Sequence, residues 1–369
     1  MNSSHPDIKP QRLRSLLRRL VDIYSPSGKE EEILDFLHSY LRRNGMPVIS
    51  QPLDGSRRNL LVLPEDVDVR LAFIGHVDTV VAYDLDNYAF DEEEDTVSGL
   101  GAADMKSGCA AMIEAFRTLW ENGRSSSPVA LALVVGEEED GDGSQKLAKE
   151  YHFPWVLIGE PTNLQPCLSH YGYLEAQITT RGTRMHASLA NLGQNPIESM
   201  LRLLLKISHY IETQRPEMVY NIRELSSSQA GFAVPDRCDS WLDLHLPPTA
   251  AIGEITLELE QILVQARQEN ANFDGSLRFD TIHAGYELPE KWPMVEALKN
   301  AYTKNSLPWK PQAFRSHSDA NLLWAAGMKP IILGSGQLEK AHAPDESVSF
   351  AEVVQAARLY LDFMLALTD

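Results

Sequence analysis

The chain has 369 residues, 43% of them hydrophobic and 23% charged, the balance of a soluble globular protein rather than a disordered polymer or a coiled coil. At roughly 150 residues per domain this length predicts two or three domains, or one large core with an insertion, and it needs no disulfide staples. Its 33 basic and 52 acidic residues give a net charge of -19, which argues against nucleic-acid and anionic-membrane binding because both need a basic footprint.

The N-terminal MNSSHPDIKPQRLRSLLRRL lacks an apolar core of signal-peptide length, and no segment approaches the roughly 18 apolar residues of a membrane span. A cytoplasmic protein is expected. Amphipathic helices are predicted around 11–23 and 29–43, followed by a first strong strand, LAFIG (71–75), that runs into His76, Val77 and Asp78. The acidic run Asp91 to Asp95 is expected to face solvent. SGLGAADMKSG (98–108) leads into an apolar-faced helix, Ala110 to Trp120. It imitates a dinucleotide-binding turn but puts Asp104 at the third glycine position and follows no buried strand, so a nucleotide site is not expected. Asp104 is either a helix cap or a carboxylate able to bridge two metal ions.

VALALVV (129–135) stops at Gly136, Glu137 and Glu138, and WVLIG (155–159) stops at Glu160 and Pro161. From about 170 to 285 the pattern becomes alternating: strands at 173–182 and 241–246, helices at about 196–213 and 253–269, and a last strand in SLRFDTIHA. The buried-strand style returns with PIILG (330–334), with His342 shortly after. Cys109, Cys167 and Cys238 form no CxxC pair and no disulfide framework, and are expected as buried small hydrophobes.

Continuous apolar runs predict strands buried on both faces of a mainly parallel sheet, and in such sheets ligands sit at the carboxyl ends of the strands. The expected fold is therefore α/β, a mainly parallel central sheet with flanking helices in a discontinuous domain (1–168 and 285–369). An α+β sandwich (169–284) is inserted into it. Turn residues and helix caps follow strands in any protein, and a run such as Glu137 to Asp140 is often only a charged loop. Several strands ending in histidine or carboxylate favour a site, because adjacent buried carboxylates need cations or protons to compensate them. Nitrogen and oxygen donors together suit Zn, with Co or Mn as alternatives. No HExxH, GxSxG, P-loop or catalytic-cysteine pattern competes.

GHVDTV (75–80), GLGAADMKSG (99–108), GEEEDGDGS (136–144), GEPT (159–162), GTRMHAS (182–188) and HAPDE (342–346), in that order, resemble the M20 metallopeptidase and deacylase family. This group includes acetylornithine deacetylases, succinyl-diaminopimelate desuccinylases, lysine-biosynthesis hydrolases and glutamate carboxypeptidases. The resemblance implies two zinc ions bridged by Asp104, one also held by His76 and Glu160 and the other by Glu138 and His342. It implies that Asp78 orients His76, that Glu137 is the general base, and that His186, in a lid domain through which the protein forms a homodimer, reaches into the partner subunit's active site and supports the oxyanion there. Glu137 is taken as base and Glu138 as ligand because this leaves Gly143 and Ser144 at the family's usual distance. The chain departs from the family at Gly136, where an aspartate is usual, at Phe232, where asparagine is common, and at His245, where arginine is frequent. FRSHSDANLL (314–323) resembles the family's substrate loop and offers Arg315 and Asn321 for the substrate carboxylate. The implied activity is amide hydrolysis of a small N-acyl amino acid, N-acetylornithine-type deacetylation being favoured. A carboxypeptidase or dipeptidase of the same family is the alternative, and a catalytically inactive binding homologue is the alternative from another class.

Overall fold

The computed structural model describes residues 6–86, 88–229 and 231–368. They fall into two units, one within Met1–Ser169, Leu288–Phe314 and Ser318–Asp369, the other within His170–Glu287 and Arg315–His317.

The centre of the first unit is four parallel strands in the order Val129–Val134, Leu71–His76, Trp155–Ile158, Lys329–Ile332. Every residue of the first two is buried, as their unbroken apolar sequences require. An antiparallel hairpin, Val48–Pro52 with Arg58–Val62, extends this sheet beside Val129–Val134. On the other side Cys167 pairs antiparallel with Ile332. The architecture is α/β with a mainly parallel centre and antiparallel margins.

Phe73, in the middle of the sheet, meets Phe116 and Tyr360 edge-on at ring-centroid distances of 5.8 and 5.5 Å, and Phe363 at 6.3 Å. This buried knot seats the helices Ser107–Glu121 and Phe350–Ala366 on one face of the sheet. Helix Pro10–Asp22 begins with proline at its first turn and is fastened by a fork: Arg12 donates to both carboxylate oxygens of the fully buried Glu114, each at 2.7 Å.

The second unit is an antiparallel sheet ordered Val219–Ser227, Arg237–Leu246, Gly172–Arg181, Asp274–His283. Leu174, Ala176, Ile178, Leu242 and Leu244 point to one face and pack with Met200, Leu203, Ile207 and Leu259 of the helices Pro196–Gln214 and Ile252–Glu269. The strand at one edge, Val219–Ser227, is exposed along nearly its whole length. Arg315–His317 groups with this unit although it lies far along the chain, where the sequence pattern assigns it to the other.

The acidic run Asp91 to Asp95 faces solvent as expected, with Glu92 alone half-buried, and it also makes surface contacts. Asp91–Glu93 pairs with Thr96–Ser98, Glu92 is ion-paired with Arg14, and Asp95 accepts hydrogen bonds from Ser349 Oγ (2.5 Å) and the Ala351 N–H (2.9 Å) at the start of the last helix. All three cysteines are free and buried, as expected.

Candidate metal centre

Strand register brings the chemistry together. His76 is level with Val134, and Ile74 with Ile158, so the parallel strands end side by side. Glu160 follows its strand by two residues and comes level with His76, while the turn after Val134 presents Glu137 and Glu138. Close packing supplies the next part: a Cβ at Gly108 would lie 2.2 Å from the carbonyl oxygen of Gly159, so only glycine lets the helix start reach the strand end. The turn before that helix, with Gly101 at φ 77°, carries Asp104, and the Asp104–Met105 peptide is cis.

The two oxygens of Asp104 face different imidazoles. Oδ1 is 3.2 Å from His76 Nε2, and Oδ2 is 3.6 Å from His342 Nε2. His76 Nε2 is also 3.8 Å from Glu160 and 3.8 Å from Glu137, and His342 Nε2 is 2.8 Å from Glu138 Oε2. On its other side, His76 Nδ1 lies 3.1 Å from the Asp78 carbonyl oxygen and 3.6 Å from its carboxylate. Asp78 is fully buried and accepts hydrogen bonds from Ser27 Oγ at 2.7 Å and from the Glu138 N–H at 3.1 Å. Glu139, the next residue, is exposed.

The electrostatics are those of a cluster with too much buried negative charge. Burial pushes Glu137 well above the usual carboxylate range, with Glu160, Asp319 and Glu138 adding to it and His76 opposing. Glu160 is pushed up to about 8, first by burial and then by Asp104. Burial alone would depress His76, but Asp104, Asp78 and Glu160 outweigh it and raise the imidazole well above its ordinary value. The hydrogen bond with Glu138 lifts His342 to about 9. Glu160 Oε1 is buried without a hydrogen-bond partner. Divalent cations fit this donor set, since they neutralise the carboxylates and use the unpartnered oxygen. Three triplets have donor atoms close enough to share an ion: His76–Asp104–Glu160, Asp104–Glu138–His342 and His76–Glu137–Glu138. The first two share only Asp104 and leave Glu137 over.

A cleft of about 590 Å³ opens beside His342, lined by Val80, Tyr83, Tyr88, Leu100, Pro344 and the aspartates 84, 86, 91 and 345, without a lysine or arginine among its described lining residues.

The other expected site residues are placed differently. His186 is exposed in the second unit, its Nδ1 2.7 Å from Ser188 Oγ. Arg315 is exposed. Asn321 is buried, and its side-chain oxygen accepts the Ser318 N–H at 3.3 Å in a capping box, a use of the side chain that the motif alone does not disclose. Phe232 is 94% exposed, and His245 lies against Tyr173 with a ring-centroid distance of 5.4 Å. Sequence reasoning passed over three buried groups around the cluster. Asp319 has an unpartnered Oδ1 and is pushed up to about 7 by burial. Lys106 donates from Nζ to the Ile23 carbonyl at 2.8 Å and is lowered to about 7 by burial. The third is Glu346. Each stands in a stretch that had been singled out, so proximity to SDAN, ADMKSG and HAPDE was the available signal.

A buried carboxylate–imidazole cluster at the carboxyl ends of parallel strands, with donor sets for more than one cation, defines a metal-binding α/β protein. The chain belongs to peptidase family M20/M25/M40, whose sequence profile matches residues 72–366. It is 28% identical over 348 residues to an acetylornithine deacetylase of Edwardsiella ictaluri, covering 89% of each chain. Among solved structures it is similar to a tripeptidase of Staphylococcus aureus (TM-score 0.83, 18% identity, 98% of this chain and 100% of that one). It is also similar to the Bacillus subtilis YxeP protein, a dinuclear metal binding peptidase (TM-score 0.71, 11% identity, 97% and 98% covered).

Proposed function

We propose that the protein hydrolyses the amide bond of a small N-acyl amino acid, with N-acetylornithine-type substrates favoured, using two divalent ions, zinc in first place and cobalt or manganese as substitutes. The observation that carries this reading is Asp104, whose two oxygens face two imidazoles. His76, Asp104 and Glu160 would hold one ion, and Asp104, Glu138 and His342 the other. Bound there, the ions supply Lewis acidity and a water of near-neutral pKa. Asp78 holds the His76 ring in one orientation and so fixes which nitrogen faces the cluster. Glu137, outside both ligand sets, takes the proton of the attacking water on its carboxylate and returns it to the leaving amine. With divalent ions held beside it, Glu137 would lie lower, nearer the carboxylate range that this role requires. His186 reaches into the partner subunit's active site and donates to the oxyanion of the tetrahedral intermediate there, and Arg315 receives the substrate carboxylate. Asn321, whose side-chain oxygen caps its helix, is the second candidate for that carboxylate through its amide.

The acidic cleft beside His342 and the similarity to an acetylornithine deacetylase both favour a substrate with a cationic side chain. The similarity to a tripeptidase keeps short peptides as the second reading. A homodimer through the second unit is part of the proposal, supported by the exposed edge strand Val219–Ser227. No described helix is long and apolar enough to cross a membrane, in keeping with a cytoplasmic enzyme.

The test is a hydrolysis screen of the Zn- and Co-loaded protein against N-acetylornithine, N-acetylcitrulline, N-succinyl-diaminopimelate, N-acetyl-lysine and dipeptides ending in glutamate. Cleavage of N-acetylornithine above the others is expected. Cleavage of the dipeptides alone would replace the deacetylase reading with the peptidase one, and failure to bind either metal would end both.

A further inference from the structure

Glu346 is buried and shares a short turn with His342, closed by a 3.1 Å hydrogen bond from its own N–H to the Ala343 carbonyl. Its carboxylate accepts three backbone N–H groups from the loop that carries Asp104. Oε2 takes that of Gly101 at 2.9 Å, and Oε1 takes those of Ala103 and Asp104 at 2.9 and 3.0 Å. Its backbone carbonyl takes a fourth, from Gly99 at 3.2 Å. The strands entering and leaving this arrangement are themselves paired, Ser347 with Ser98 and Val348 with Val97. A loop with three otherwise orphaned donors, from Gly101 to Asp104, is thus fixed by one side chain far along the chain.

We infer that Glu346 is a positioning residue of the metal centre, tying the Asp104 loop to the His342 turn and so setting the spacing of the Asp104–Glu138–His342 ion site. His342 is half-exposed and held among its neighbours chiefly by Glu138, so that site depends on the tie. In the His76–Asp104–Glu160 site only Asp104 stands on the tied loop, whereas His76 and Glu160 are set by their strands, so that site depends on the tie less. The inference rests on the two-ion reading above. Residues that orient metal ligands from behind typically change affinity by about 10–100-fold.

The test is a cobalt titration of the full-length protein followed by visible absorption, with the melting temperature recorded for each variant. The wild type should take up cobalt in two steps. Glu346→Ala should weaken one step by about 10–100-fold and leave the other within about threefold. Glu346→Gln keeps the volume and a carbonyl for Ala103 and Asp104 but turns an amide toward the Gly101 N–H, so it should fold normally and show a smaller loss on the same step. If both variants keep both affinities, or both steps weaken equally, Glu346 does not set the second site. A wild type that binds no cobalt would overturn the two-ion reading itself, and that result is distinct from either variant outcome.

Discussion

Asp78 Oδ2 accepts the backbone N–H of Glu138 at 3.1 Å, so the carboxylate behind His76 also holds the turn that presents the two glutamates. One buried side chain thereby serves ligands of both proposed ions. Asp78→Asn should keep the fold and weaken binding of both ions by about 10–100-fold, read by zinc competition against a chromogenic chelator. Wild-type affinity at both sites would show that Asp78 orients nothing.

Glu137 stands in neither of the two ligand sets that share Asp104. Glu137→Ala should retain both metals by elemental analysis and lower turnover by about 10²–10⁴-fold. Metal loss comparable to that of Glu138→Ala would instead make Glu137 a ligand.

The contact of Gly108 with the Gly159 carbonyl lets the Asp104 turn approach Glu160. Gly108→Ala forces a methyl group against backbone and should cost about 1–3 kcal/mol in denaturant unfolding, with weaker metal binding as well. Unchanged values for both would show that the helix start can shift without consequence.

Phe73 anchors two helices through its aromatic neighbours. Phe73→Ala should destabilise the first unit by about 3–5 kcal/mol, measured by chemical denaturation. A loss below about 1 kcal/mol would contradict the described packing.

In the second unit, burial and then the surrounding imidazoles lower His317 to about 3, and burial lowers His170 to about 4. His317 Nε2 lies 2.7 Å from His283 Nδ1. An unfolded histidine takes up its proton near pH 6.5, so below that value the unfolded state binds more protons than the folded one. Stability contributed by these neutral rings is complete above about pH 6.5 and declines as pH falls through about 4 to about 3. His317→Gln should flatten the stability profile between pH 7.5 and 5, while identical slopes in variant and wild type would remove His317 from the effect.

The central sheet was readable because LAFIG, VALALVV, WVLIG and PIILG are apolar without interruption, and strand ends in such sheets hold the ligands. The convergence of His76, Glu137, Glu138, Glu160 and His342 followed from the same pattern, and Asp104 joined them only through the resemblance to the family. Val219–Ser227 was not located because an exposed edge strand has no buried face to impose alternation, and VYNIRELSS shows none. Glu346 escaped notice because its partners are backbone N–H groups, which leave no trace in side-chain spacing. The capping use of Asn321 and the grouping of Arg315–His317 with the second unit likewise depend on contacts that distance along the chain does not encode.

The proposed metal ligands come from the first unit alone, from segments as separate as His76 and His342. Any ion that binds the folded cluster and not the unfolded chain stabilises that unit by mass action, with no such gain for the other. Chelation should therefore divide thermal unfolding into two transitions, the lower one rising with free zinc and the upper one indifferent to it. Resistance to heat and to proteolysis in the first unit would then be a function of metal supply, so that scarcity of the bound ion would remove the folded unit along with the proposed activity.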